Sequence, residues 1–282
     1  MPIRVYTGKR GWIQLKGSFI KNWRHYLQEA LGLAIFMISA CFFGALLEAK
    51  NSPVHLAIPN SFLRSVIMGS LMGSTALFIF YSKFTSPSGS HINPAVTITF
   101  LRLHKMCRWD AMFFILFQIA GSLLAVFLMQ LMIGNYLTKA PVNSVVTVPG
   151  TGGPLPALLM EFTIAFITMT MVLFTSHHEK LKKYTRIFSS FLVCTWVIVA
   201  GPVSGFGMNP ARSLASAIPA NTWTSFWIYL IVPFAGMLSA AEFFLFINKI
   251  NLKAKKERML NQAAMLLFTV PCVLPIAIGT CT

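Results

Sequence analysis

Acidic side chains are scarce in this chain: 7 Asp and Glu stand against 23 Lys and Arg in 282 residues. Charged residues of both signs amount to 11% of it, where a soluble domain carries roughly 25%. That deficit argues against an ordinary soluble domain. Cysteine is sparse too, and Cys41, Cys107, Cys194, Cys272 and Cys281 share neither disulfide nor metal-ligand spacing. Cys41 and Cys194 read as small apolar core residues. No nucleophile, base and orienting group recur at a catalytic spacing, so an enzyme is set aside and no cofactor is expected.

What the chain has in abundance is apolar sequence. Hydrophobic residues make up 56% of it and fall in blocks at 27-47, 62-82, 110-133, 156-175, 187-203 and 224-247. A helix crossing a bilayer needs roughly 20 such residues, so six spans fit and lipid is the expected solvent. Arg4, Lys9, Arg10, Lys16, Lys21 and Arg24 interrupt every early apolar run, so residues 1-26 read as a basic amino-terminal segment rather than a signal peptide. The formal charge of +16 does not point to nucleic acid, because the cations gather at span ends: in that segment, at 102-108, at 177-186 and at 249-258. By the positive-inside rule both termini are cytoplasmic, in a multi-pass cell-membrane protein that contacts anionic lipid.

The chain also repeats itself. Glu29-Ala30-Leu31-Gly32-Leu33-Ala34-Ile35-Phe36 is similar to Glu161-Phe162-Thr163-Ile164-Ala165-Phe166-Ile167, and each opens a half that contains an Asn-Pro-Ala triplet, Asn93-Pro94-Ala95 and Asn209-Pro210-Ala211. Repeat one covers about 27-133 and repeat two about 156-248. Three spans per half make the repeat inverted, and such repeats place a substrate path at their interface near the bilayer midplane. The apolar runs at 94-102 and 210-218 are too short to cross, since about ten helical residues cover about 15 Å. Two half-helices entering from opposite faces would meet in the middle. Asn is a good N-cap and Pro suits the first helical position, so each triplet reads as a helix start. Each Asn is expected to hold its own loop and turn an amide N–H toward the pore. Paired N-termini then focus positive potential that favours oxygen lone pairs and repels cations, a travelling proton included.

With these features, residues 25-248 resemble the aquaporin and glycerol-facilitator family. The first signature is carried by Ser88-Gly89-Ser90-His91-Ile92-Asn93-Pro94-Ala95-Val96-Thr97 and the second by Gly205-Phe206-Gly207-Met208-Asn209-Pro210-Ala211-Arg212-Ser213. Gln118 with Gly121, and Pro233 with Gly236, also resemble family positions. The resemblance implies an all-α membrane protein of six tilted helices and two re-entrant half-helices, assembled as a homotetramer with a pore in every protomer. It also implies that Glu29 and Glu161 accept backbone N–H bonds from the re-entrant loops, the alternatives being a proton relay or an interfacial position. His91 reads as a residue that lines the pore and positions backbone, and no metal is expected there. His177-His178-Glu179 reads as a solvated turn, with pH gating as the alternative.

The family's outer constriction maps onto Arg212, Phe206, Val197 and a second-span residue at Gly73 or Met72. Phe206 is the glycerol-facilitator choice, Val197 stands where strict water channels carry His, and Ser213 stands where glycerol facilitators carry Asp. The expected function is a passive channel for water, with small neutral solutes also admitted and ions and protons excluded. A glycerol- or urea-type facilitator is the alternative, and a secondary transporter the more distant one. Residues 249-282 lie outside the resemblance. Their apolar run at 263-279 contains Pro271 and Pro275, which favours an interfacial or disordered segment over a seventh span.

Overall fold

The computed structural model describes residues 9–269, with side chains described for 13–250. Among these residues the fold is all-helical. Eight helices of nine residues or more follow in order: α1 (Lys9–Glu48), α2 (Ser61–Tyr81), α3 (Pro94–Arg102), α4 (Arg108–Ile133), α5 (Pro154–His177), α6 (Thr185–Ser204), α7 (Pro210–Ala220) and α8 (Phe226–Thr269). Six stretches, Ile13–Glu48, Ser61–Tyr81, Arg108–Ile133, Pro154–His177, Lys182–Ser204 and Phe226–Ile250, are long and apolar enough to cross a membrane. The expected fold class is the one observed, short half-helices α3 and α7 included.

Residues up to Ala241 form one compact unit and those from Glu242 a second. In the first unit α1 packs along α4, α2 along α6, and α5 along α6, while α3 and α7 touch each other and both rest on α4. Two glycines set the approach of neighbouring helices. A Cβ on Gly121 of α4 would collide with the Ala30 backbone on α1, and one on Gly236 of α8 would lie 2.7 Å from the Phe162 carbonyl oxygen on α5. Ala30 and Phe162 each follow a repeat-equivalent glutamate, so the same close contact is built twice.

Helix α1 is continuous from Lys9 to Glu48, so residues 9-26 of the basic segment run unbroken into the first span. Asp110, at the start of α4, accepts hydrogen bonds from Ser18 Oγ, Asn22 Nδ2 and Tyr26 Oη, which recur every four residues and hence lie on one face of α1. The span Ile13–Glu48 has 36 residues, about 54 Å of helix, well beyond a hydrocarbon core of about 30 Å.

Helix α8 is described as far as Thr269 and so takes in the start of the 263-279 run. The rest of that run, with Pro271 and Pro275, lies outside the described residues, as do Cys272 and Cys281.

Candidate functional site: a two-loop constriction between two cavities

The two re-entrant loops are built alike because they carry the same backbone demand. Gly89, Ser90 and Ile92 precede Asn93 with φ of 96°, 50° and 41°, and Gly205, Phe206 and Met208 precede Asn209 with φ of 75°, 52° and 48°. Left-handed backbone at a non-glycine residue costs on the order of 1–3 kcal/mol, and for β-branched Ile92 it is a true outlier. Something must offset that strain.

Two buried carboxylates do so. Glu29 Oε1 accepts from His91 N (2.9 Å) and Ser88 Oγ (2.6 Å), and its Oε2 from Ile92 N (2.6 Å) and Gln118 Nε2 (2.8 Å). Glu161 Oε1 accepts from Ser204 Oγ (2.7 Å) and Gly207 N (2.8 Å), and its Oε2 from Met208 N (2.5 Å). Both side chains are 0% exposed, and neither lines either of the two cavities described below. Each therefore satisfies backbone donors that would otherwise be stranded in an apolar medium, at several kcal/mol apiece.

The triplets start their helices as N-cap chemistry requires. Asn93 Oδ1 accepts from Ala95 N at 2.8 Å, and Asn209 Oδ1 from Ala211 N at 3.1 Å and Arg212 N at 3.3 Å. Pro94 and Pro210 occupy the first turns of α3 and α7. The amide nitrogens do something the sequence did not reveal. Asn93 Nδ2 donates to the Met208 carbonyl (2.9 Å) and Asn209 Nδ2 to the Ile92 carbonyl (2.7 Å), each reaching the residue before the opposite asparagine. One hydrogen of each amide is thus spent in tying the loops together, and both asparagines also line the second cavity described below.

His91 donates its backbone N–H to Glu29, while its ring stacks on Phe100 at 4.8 Å and meets Phe114 edge-on at 5.3 Å. Among the described residues no group of His, Cys, Asp or Glu could hold a metal ion. His177 ends α5, and neither it nor His178 lines either of the two cavities described next.

Two cavities flank the loops. The first, about 380 Å³, has Glu48, Ser61, Met72, Val197 and Arg212 among its lining residues. At its Glu48 end, Arg64 pairs with both carboxylate oxygens, at 3.0 and 3.1 Å. The second, about 330 Å³, is lined by His91, Asn93, Asn209 and Arg186 among others. Arg212, Phe206 and Phe36 line both, so the cavities meet across these three side chains. Arg212 and Phe206 are each 8% exposed, and Arg212 Nη1 is buried with no hydrogen-bond partner among the described residues.

Of the two second-span candidates, Met72 lines the first cavity and Gly73 does not. A Cβ on Gly73 would lie 2.8 Å from Cys194 Cβ and 3.0 Å from the Ser190 carbonyl oxygen, so Gly73 serves the approach of α2 to α6. Neighbours on a helix point about 100° apart, so the two residues face different surroundings. Phe36 was missed in the sequence, although its signal was there: it lies seven residues after Glu29, hence on the same helix face.

Residues 16–244, most of the chain, match the family model described as Major intrinsic protein. The chain belongs to that family. Among major intrinsic proteins it is 30% identical over 202 residues to Aquaporin NIP1-2 of Arabidopsis thaliana, covering 70% of this chain and 67% of that protein. To Aquaporin NIP2-2 of Zea mays it is 31% identical over 171 residues, 60% of this chain and only 56% of the relative's length. The X-ray structure of the aquaglyceroporin from Plasmodium falciparum superposes with a TM-score of 0.66 at 18% identity, covering 78% of this chain and 94% of that one. At that identity the likeness establishes the shared fold.

Proposed function

We propose that this protein is a passive, bidirectional membrane pore for water that also admits small uncharged solutes and rejects ions and protons. The observation that carries the reading is the shared wall of the two cavities, formed by Arg212, Phe206 and Phe36 beside two crossed asparagine caps. Each half-helix N-terminus carries roughly half a positive charge, and the buried guanidinium of Arg212 adds a full one. A permeating oxygen presents lone pairs to that field, whereas a cation meets repulsion in a low-dielectric setting.

The solute range follows from the lining. Met72 and Val197 offer no hydrogen-bond donor at the first cavity, so the carbon skeleton of a small polyol or amide meets apolar wall while its oxygen faces Arg212. This favours a glycerol- or urea-type facilitator as the second reading, and Ser213 at the acidic position of such facilitators argues for water as the main permeant. The channel domain is assigned to 27-248, the assembly to a homotetramer, and both termini to the cytoplasm of a cell-membrane protein. That orientation puts the first cavity outside and the second inside.

Stopped-flow light scattering on proteoliposomes tests the proposal. Osmotic shrinkage well above that of empty liposomes is expected, with no change when a sodium or proton gradient is imposed. Shrinkage equal to empty liposomes would sink the water claim, and saturable uptake driven by such a gradient would point to a transporter.

A further inference from the structure

We infer that Phe36 of α1 is a selectivity-determining wall of the constriction, additional to the four positions that the sequence pattern assigns. The inference rests on the pore reading above and deepens it. Leu33, Phe36, Ala40, Gly44 and Glu48 recur at intervals of three or four residues, so they form one stripe along α1. Leu33 lines the second cavity, Ala40, Gly44 and Glu48 line the first, and Phe36 lines both. Following the stripe from one cavity to the other, the passage crosses α1 at Phe36.

Size sharpens the point. Beyond Phe36 the next two stripe residues are the small Ala40 and Gly44, the latter packed by Val145, so Phe36 is the last bulky side chain of α1 on this wall before Glu48. Met72 and Val197 reach the first cavity alone. At the shared waist the walls are therefore two aromatic rings, Phe36 and Phe206, and one guanidinium, Arg212.

The ring of Phe36 is held from both repeats. It packs against the buried cluster of Leu33, Ile79, Ile92 and Ala211, and also against the cluster that contains Met37, Cys41 and Ala215. Ile92 precedes the first triplet and Ala211 belongs to the second, so the ring is wedged where the two loops meet. Close packing on that scale leaves a side chain little rotamer freedom. A phenyl ring also offers no hydrogen-bond donor or acceptor, so a solute passing it loses hydration on that side. Water brings no carbon to such a waist. A larger solute must lay carbon against both rings, and the space that Phe36 takes limits how much carbon it can bring.

The test compares wild type, Phe36→Leu and Phe36→Ala in proteoliposomes, with water and glycerol flux measured per reconstituted protein. Phe36→Ala is expected to raise the glycerol-to-water permeability ratio at least about threefold, with Phe36→Leu in between. An unchanged ratio in variants that still conduct water would overturn the inference. A second measurement needs no flux. With the native cysteines replaced by Ala, Phe36→Cys should react with a small water-soluble methanethiosulfonate at least about tenfold faster than Ile35→Cys, because only an accessible thiolate reacts. Equal rates would overturn the role of Phe36 even if wild-type liposomes conducted nothing, a result that would by itself refute the pore.

Discussion

Replacing Glu161 by Gln probes the strain argument most directly. The carboxylate accepts three hydrogen bonds, from Ser204 Oγ, Gly207 N and Met208 N. Bonds to a charged acceptor contribute about 1.5–3 kcal/mol each, against about 0.5–1.5 kcal/mol for neutral ones. Gln keeps one oxygen, which serves Ser204 and Gly207 more weakly, and points an NH2 group at the Met208 N–H. The loss of one charge-assisted bond and the weakening of two others come to roughly 3–5 kcal/mol. That sum is comparable to the strain of about 1–3 kcal/mol at each of the left-handed residues Phe206 and Met208, which then has nothing to offset it. With the loop released, Arg212 and Phe206 lose their positions. Water permeability per protein should fall at least about tenfold, the factor that 1.4 kcal/mol supports, and thermal unfolding in detergent should shift down. Wild-type permeability together with an unshifted unfolding temperature in Glu161→Gln would refute the reasoning.

Four further outcomes are expected. Asn209→Asp keeps the N-cap oxygen but removes the Nδ2 donor to the Ile92 carbonyl, so it should cost about 1 kcal/mol in unfolding measurements, whereas Asn209→Ala should cost about 2 kcal/mol because the cap is lost as well. Val197→His adds a donor and bulk to the first cavity, and flux assays should show glycerol and urea suppressed more than water; equal loss of all three would remove Val197 from the filter. Gly121→Ala forces α4 away from the Ala30 backbone and should destabilise by about 1–3 kcal/mol, while Gly17→Ala, whose Cβ meets nothing within 4 Å, should be neutral or slightly stabilising in the same assay. Met72→Ala should change solute flux, whereas Gly73→Ala, whose Cβ meets α6, should change stability instead; the reverse pattern would reassign the second-span position.

Much of this protein was legible in its sequence because the signals are local. Apolar run length fixes what can cross a bilayer, and the six runs correspond to the six helices able to do so. An Asn followed by Pro specifies a helix start from neighbouring atoms alone, so α3 and α7 begin at Pro94 and Pro210 as expected. The two glutamates were visible because the repeat duplicates them, and duplication of an acid inside an apolar span marks a fixed partner.

What the tertiary structure decided are contacts between segments far apart in the chain. The asparagine amides cross to carbonyls 115 and 117 residues away, a pairing that no local pattern encodes. Whether Met72 or Gly73 faces the passage depends on the rotation of α2 against α6, and a change of register by one residue would exchange them. Phe36 became part of the site only when α1 was seen to lie against both loops at once. Helix length, capping and repetition are properties of a few neighbouring residues, and the sequence determined them unaided. A constriction is a property of surfaces brought together, and only the packed helices determine which side chains share it.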